Sequence, residues 1–272
     1  MKSMRDLLPD TDAKSLTLDE RKERAEIKAK TYNDTVGNLT ECDCELCKNK
    51  GYIQKVRYEE LYNDFVVYMK PCECMKKREI IRKAMASGLG EYIHKRFDDY
   101  IATDEWQKNI KAKAIDYVKS NNDNWFVALG QSGCGKTLIC SIVANYMLGD
   151  GKTVTYITWT DFISKLKRDM MADNQEEVSR YLESIKNVDV LFIDELLKKY
   201  NETDLKYIIE IINYRYTNDL RTIITSERTI NELLDIDEAT FSRMIEKSKK
   251  YIINIPKDRM KNYRLRALYE EK

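Results

Sequence analysis

Eight residues near the middle of the chain, Gly130-Gln131-Ser132-Gly133-Cys134-Gly135-Lys136-Thr137, satisfy the pattern G-x-x-x-x-G-K-[S/T] and confine the chain to a small set of folds. Trp125 to Leu129, just before them, is a short apolar run that reads as a buried strand. Leu138 to Met147, just after, reads as a helix. Strand, loop and helix in that order aim backbone N–H groups and a helix N-terminus at one anion, and the glycines let the chain approach it closely. Residues Gly130 through Leu138 therefore form the expected nucleotide cradle. Lys136 would reach the β- and γ-phosphates of ATP or ADP, and the Thr137 hydroxyl would ligate Mg²⁺.

Such a loop needs an acidic partner, and Val188-Asp189-Val190-Leu191-Phe192-Ile193-Asp194-Glu195 supplies one. Its apolar run ending in two carboxylates reads as a central parallel strand with the acids at its carboxyl end, where α/β folds place ligands. Asp194 would hold the Mg²⁺, directly or through water, and Glu195 would orient and deprotonate the attacking water. A small-molecule kinase shares the loop but need not end this strand in Asp-Glu. The pair points to hydrolysis of ATP.

The chain has 272 residues, a net charge of +1 and 43% apolar residues, enough for one large domain or two smaller ones with a real core. No global positive charge draws it to nucleic acid, so any such contact must be local. The sequence contains no run of eighteen apolar residues and no signal peptide, and reads as cytoplasmic with no membrane partner. Five of its seven cysteines, Cys42, Cys44, Cys47, Cys72 and Cys74, fall in one short stretch. In a reducing compartment that spacing reads as metal ligation rather than disulfides. Cys44-x-x-Cys47 is a knuckle that grips one face of a tetrahedral Zn²⁺, and Cys72-x-Cys74 closes the other. Cys42 could replace Cys44. Cys134 and Cys140 read as packed thiols.

Residues 1 to 40 are dominated by charge, with Thr17-x-x-Glu20 fitting a capping box that opens a helix to about Lys30. Tyr58 to Tyr68 is an aromatic insertion between the cysteine pairs, and Gly88 to Lys95 reads as a hinge. From Arg96 onward helices alternate with five strand candidates, 125–129, 153–157, 188–193, 222–225 and 251–255. Asn201 caps a helix whose apolar positions Leu205, Ile208, Ile209, Ile212 and Tyr216 mark a core face. The expected organisation is a zinc-binding N-terminal domain with helices over 1–92 and an α/β P-loop ATPase domain with a central parallel sheet over 93–272.

Added to the phosphate loop and the Asp-Glu strand are Ile211-Ile212-Asn213-Tyr214-Arg215-Tyr216, Thr222-Ile223-Ile224-Thr225-Ser226-Glu227, Ser242-Arg243-Met244 and Asn262-Tyr263-Arg264. In this order they resemble the DnaC/DnaI-type helicase loaders of the AAA+ superfamily, nearest to phage or Gram-positive versions, over almost the whole chain. That resemblance implies further roles. Arg243 matches the arginine finger that enters a neighbouring subunit's ATP site, and Arg264 the second sensor of its own subunit. Many relatives carry Asn where Glu227 stands, which leaves the first sensor to Ser226 or Thr225. Phe97 and Tyr100 lie where relatives approach the adenine, and are equally suited to a core.

The resemblance also implies partners: a hexameric replicative helicase bound by the N-terminal domain, single-stranded DNA, and further copies of the chain assembled through the ATPase domain. Lys165, Lys167 and Arg168, with Phe162 or Trp159 to stack on a base, are the candidate DNA contacts, although Phe162 equally suits a buried helix face. Two other readings are an insertion-sequence helper ATPase and a nucleotide-gated adaptor or inhibitor of a host helicase with little turnover.

Overall fold

A computed structural model describes residues 16–120 and 122–265. The polar stretch at the extreme N-terminus lies outside the described residues. The chain divides into two compact units, Met1–Arg82 and Lys83–Lys272.

The first unit is built from α1 (Leu18–Asp34), β1 (Tyr52–Glu59), β2 (Asp64–Pro71) and the start of α2 (Cys74–Ala86), which runs across the boundary. Thr17 and Glu20 form the expected capping box, each accepting the other's backbone N–H, at 3.3 and 2.7 Å. The segment expected only as an aromatic insertion is an antiparallel hairpin, paired from Tyr52↔Pro71 to Glu59↔Asp64. Its pattern is hard to read because Phe65-Val66-Val67-Tyr68 runs apolar on both faces and the turn contains no glycine. Asn63, in the left-handed region at φ 47°, does that work instead. The Asn33 side chain on α1 bonds both the N–H and the C=O of Gln54 at 2.9 Å, occupying backbone groups that a third strand would otherwise take.

The second unit continues through α3 (Glu105–Lys119), β3 (Phe126–Gly130), α4 (Lys136–Gly149), β4 (Val154–Thr158), α5 (Trp159–Met171), α6 (Gln175–Asn187), β5 (Val190–Asp194), α7 (Glu202–Thr217), β6 (Arg221–Ser226), α8 (Ile230–Ile236), α9 (Glu238–Ser248) and β7 (Ile252–Ile255). All five strands are parallel, in the order β4-β5-β6-β3-β7. Alternate side chains feed opposite layers. Phe126, Ala128 and Phe192 pack with α3 and α4, whereas Val127, Leu129, Leu191 and Ile193 pack with α5 to α9. Covered on both faces, β3 and β5 are wholly buried, which is why both read as continuous apolar runs.

Two expectations need correction. Gly88 to Lys95 is not a free hinge, because Asn145 on α4 donates to the carbonyls of Tyr92 and Lys95 at 2.6 and 2.9 Å and Leu89 is buried. The core face of α7 is rotated from the one expected. Tyr207, Ile208, Ile211, Ile212 and Arg215 are buried, while Leu205, Ile209 and Tyr216 lie at its margins.

Arg215 explains the rotation. Its side chain is fully buried and donates to the carbonyls of Lys186 and Val188, at 2.8 and 2.9 Å, and to Thr222 Oγ1 at 2.9 Å. One guanidinium thus satisfies the end of α6 and the approaches to β5 and β6. Replacing Arg215 with Met keeps the volume and strips these carbonyls of their donor. We expect a stability loss of about 3 kcal/mol or more by denaturant unfolding. A loss under about 1 kcal/mol would mean that water replaces the guanidinium.

Candidate nucleotide site and cysteine centre

The phosphate loop closes over the N-terminus of α4. Gly133 and Gly135 sit at φ +76° and +85°, and a Cβ on Gly133 would lie 2.1 Å from Asn262 Oδ1. Both positions therefore need glycine. Gly135 is the N-cap of α4, so the first unpaired N–H groups of the helix face the loop. Lys136 is buried, and its ammonium donates to the carbonyls of Gly130 and Gln131 at 2.8 and 2.7 Å. Cys134 and Cys140 are buried as expected, and burial pushes both thiols up.

Strand order brings the other parts to this loop. Because β6 lies between β3 and β5, its carboxyl end sits between the phosphate loop and the acids. Thr137 Oγ1 lies 3.0 and 3.1 Å from the two carboxylate oxygens of Asp194, so the two expected Mg²⁺ ligands are already side by side. Tyr156 donates to Asp194 Oδ2 at 3.0 Å, and Thr225 donates to Oδ1. Burial, reinforced by Asp194, pushes the Tyr156 hydroxyl well up, so it stays a donor. Glu195 follows in the left-handed region at φ 55°, its N–H donating to Thr225 Oγ1 at 2.9 Å.

Thr137, Glu195 and Thr225 border a cavity of about 350 Å³ whose walls also include Tyr92, Tyr100, Glu227, Tyr263 and Arg264. That volume lies in the range of small-molecule sites. Tyr100 lines it as expected, whereas Phe97 is buried against Tyr146. Glu227, at the position where the loader resemblance has Asn, lines it too, and so does Tyr92, which belongs to no spacing pattern that would single it out. The Ser226 hydroxyl donates to the Leu196 carbonyl at 2.7 Å, so both first-sensor candidates, Thr225 and Ser226, are engaged with the Asp-Glu turn.

In the first unit Cys44, Cys47, Cys72 and Cys74 converge, their sulfurs all within 4.8 Å of one another. Cys42 is outside the group. The Cys44–Cys72 and Cys47–Cys74 sulfur distances are 3.7 and 3.5 Å. A tetrahedral ion with metal–sulfur bonds of about 2.3 Å needs sulfurs about 3.8 Å apart, so these four fit Zn²⁺. Burial alone would raise the Cys47 thiol, but the Gly51 N–H at 3.3 Å and the neighbouring thiols bring it down to about 6. Burial holds Cys72 up, at about 12.

A family model described as IstB-like ATP binding protein matches residues 52–263. The chain belongs to the IstB-like ATP-binding family. Uncharacterized protein YqaM of Bacillus subtilis (strain 168) is 34% identical over 215 residues, covering 73% of this chain and 67% of its own. The phage-like element PBSX protein XkdC of the same organism is 28% identical over 78% of this chain and 82% of its own. The replicative helicase loader DnaC of Buchnera aphidicola subsp. Baizongia pistaciae (strain Bp) is 29% identical over 55% of this chain and 61% of its own. Among solved structures, the DnaC helicase loader superposes with a TM-score of 0.53 at 22% identity, covering 61% of this chain and 99% of that one. The AAA+ fold expected from the loader resemblance is thereby shown.

Other expected site residues of this family member are placed as follows. Arg264 lines the cavity. Arg243 on α9 is exposed and does not line it, and donates to Asn213 Oδ1 at 2.6 Å. The DNA candidates need correction. Phe162 and Trp159 are fully buried core residues, so neither is available to stack on a base. Lys165 is paired with Asp169 at 2.6 Å and Lys167 with Asp204 at 2.8 Å, which leaves Arg168 as the exposed cation of that helix. Among the described residues, no helix is long and apolar enough to cross a membrane.

The cysteine geometry carries its own prediction. Protein purified without chelator should contain one Zn²⁺ per chain. Serine at Cys44, Cys47, Cys72 or Cys74 should abolish it and unfold the first unit, while Cys42→Ser retains it. Elemental analysis checks both, and metal-free wild type would exclude a structural zinc.

Proposed function

We propose that this protein uses ATP hydrolysis to load a hexameric replicative helicase onto single-stranded DNA during replication initiation, in the cytoplasm. One observation carries the reading: Thr137, paired with the buried Asp194, and Glu195 border a cavity in a chain whose relatives include a replicative helicase loader. In the proposed cycle Lys136 and the α4 N-terminus take the phosphates, and Thr137 and Asp194 hold Mg²⁺. Glu195 accepts a proton from water as its oxygen attacks the γ-phosphorus and the bond to the β–γ bridging oxygen breaks. Arg264 steadies the γ-phosphate within the subunit. Arg243 suits a finger acting in trans, because it is exposed and away from its own cavity. Residues 1–92 would grip the helicase, with zinc holding that domain together, and hydrolysis would release it. Arg168 is the first DNA contact, joined by Lys165 and Lys167 when their ion pairs open.

The family model's IstB-like description supports a second reading, an ATPase that helps a transposase choose its target. A weakly hydrolysing adaptor or inhibitor of a helicase is the third. Co-purification with candidate replicative helicases, with and without ATP, separates them. The loader retains a helicase with ATP and yields it after hydrolysis, a transposase helper retains none, and an adaptor retains it whatever the turnover.

The site chemistry is tested separately. Lys136→Ala should lose tight ATP binding by isothermal titration, whereas Glu195→Gln should bind ATP nearly as wild type and lose hydrolysis. Equal loss of binding in both would remove the role given to Glu195.

Arg243→Ala should bind ATP but hydrolyse it slower by on the order of 10³-fold or more. Mixing Arg243→Ala with Lys136→Ala should restore part of the activity, because each chain keeps what the other lacks. An inactive mixture that still co-assembles would rule out a finger in trans.

A further inference from the structure

A second cavity, of about 750 Å³, opens at the amino end of β6, the opposite end of the parallel sheet from the nucleotide site. Its walls include the last residues of α3, the last turn of α4, the loop entering β4 and the first residue of β6. Four cations meet there from separate segments: Arg96, Lys119, Lys152 and Arg221. Asp150 is the one carboxylate in these walls, and none of the four cations is salt-bridged among the described residues. Lys165 and Lys167 on α5 are, by contrast, held by Asp169 and Asp204.

A cation at the end of a helix complements its dipole, which accounts for Lys119. Arg96, Lys152 and Arg221 lie outside the α-helices and have no such reason to gather. Arg221 is half-buried, its terminal nitrogens 3.2 Å from Met147 Sδ and 3.5 Å from the Ser120 carbonyl, so its charge is fixed in the wall. Arg96, Lys119 and Lys152 are exposed, and their long side chains can follow an irregular row of phosphates. Tyr146 lines the same cavity, its ring packed on Phe97 at a centroid distance of 4.8 Å and still 42% exposed. A ring anchored by a neighbour and open to solvent is a platform for a base.

We propose that this cavity binds single-stranded nucleic acid, with phosphates running between the four cations and a base stacked on Tyr146. The proposal rests on the reading of single-stranded DNA as a ligand and gives that ligand a site away from α5. The cavity is bordered by α3 and α4, whereas α5 packs on the other layer of the sheet. A polyanion relieves the repulsion among four like charges and gains from the release of its own counterions. A single strand fits where a duplex does not, because a base stacked on a side chain must be unpaired.

The test is binding of a fluorescent oligothymidylate to the full chain, by anisotropy over a range of salt, with the nucleotide cavity filled by ADP and Mg²⁺. Replacing Arg96, Lys119 and Lys152 together with Gln should weaken binding by about tenfold or more and lower the slope of log K against log salt by about 2. Tyr146→Leu keeps the contact with Phe97 and should weaken binding by about tenfold with the slope unchanged. Arg168→Ala should cost less than either, and ADP binding by titration should be the same in all. Cavity variants that bind as wild type, while Arg168→Ala loses the strand, overturn this site and leave the DNA reading standing. A wild type that binds no oligothymidylate at low salt removes both. Displacement of the strand by inorganic tripolyphosphate at equal phosphate concentration marks a site for free polyphosphate and overturns the strand.

Discussion

One buried carboxylate organises the second unit. Asp194 is 4% exposed and takes hydroxyls from Thr137, Tyr156 and Thr225, which come from α4, β4 and β6. A carboxylate removed from water is costly unless its oxygens find donors, and here three elements supply them. The strand order makes this possible. With β5 between β4 and β6, side chains from both neighbours reach across to it, Tyr156 from the middle of β4 and Thr225 from the carboxyl end of β6, and the loop after β3 closes from the far side of β6. The hydroxyl ring also keeps the Mg²⁺ ligands of the proposed reaction in place, so little reorganisation remains for binding.

From that centre the geometry spreads along bonded paths rather than through bulk packing. The end of β6 serves both acids. Thr225 donates to Asp194 and accepts from the Glu195 N–H, and Ser226 holds the next carbonyl. These hydroxyls are therefore less free to touch a γ-phosphate than the loader resemblance implies. What they do is fix the turn that carries Glu195, and Glu227, facing the cavity just beyond, shares the Lys198 ammonium with it.

Much of this was legible in the sequence where a spacing rule forces one geometry. The phosphate loop, the wholly buried strands and the C-x-x-C with C-x-C pairs each belong to that class. Four of five clustered cysteines converge as the spacing requires, and Cys42 is left out because only a fold can choose between neighbours. What escaped depends on long-range partners. Arg215 sits in a helix that reads as ordinarily amphipathic, and nothing local shows that carbonyls from the end of α6, the residues ahead of β5 and the start of β6 will surround it. Phe162 illustrates the converse: an aromatic beside three cations suggests stacking, yet i, i+1 and i+4 neighbours Ile163 and Leu166 put it on the buried face of α5. The hairpin was missed because its strands are half-buried on both sides and alternate weakly.

The nucleotide cavity is assembled from segments distant in sequence, and its far wall is tied to the phosphate loop itself. Gln131 exchanges two hydrogen bonds with the backbone of Asp258, at 2.6 and 2.7 Å, and Tyr263 N–H donates to Gly133 O at 2.9 Å. The Tyr263 hydroxyl in turn meets Gln107 at 3.0 Å and the Ile101 carbonyl at 3.2 Å. The phosphate loop, the segment that carries Arg264 and the cavity wall at Ile101 are thus joined through one tyrosine. Any shift of the phosphate loop pulls directly on the residue preceding Arg264. In the proposed reaction, a γ-phosphate pressing on the loop would reach Arg264 through the backbone as well as through its charge.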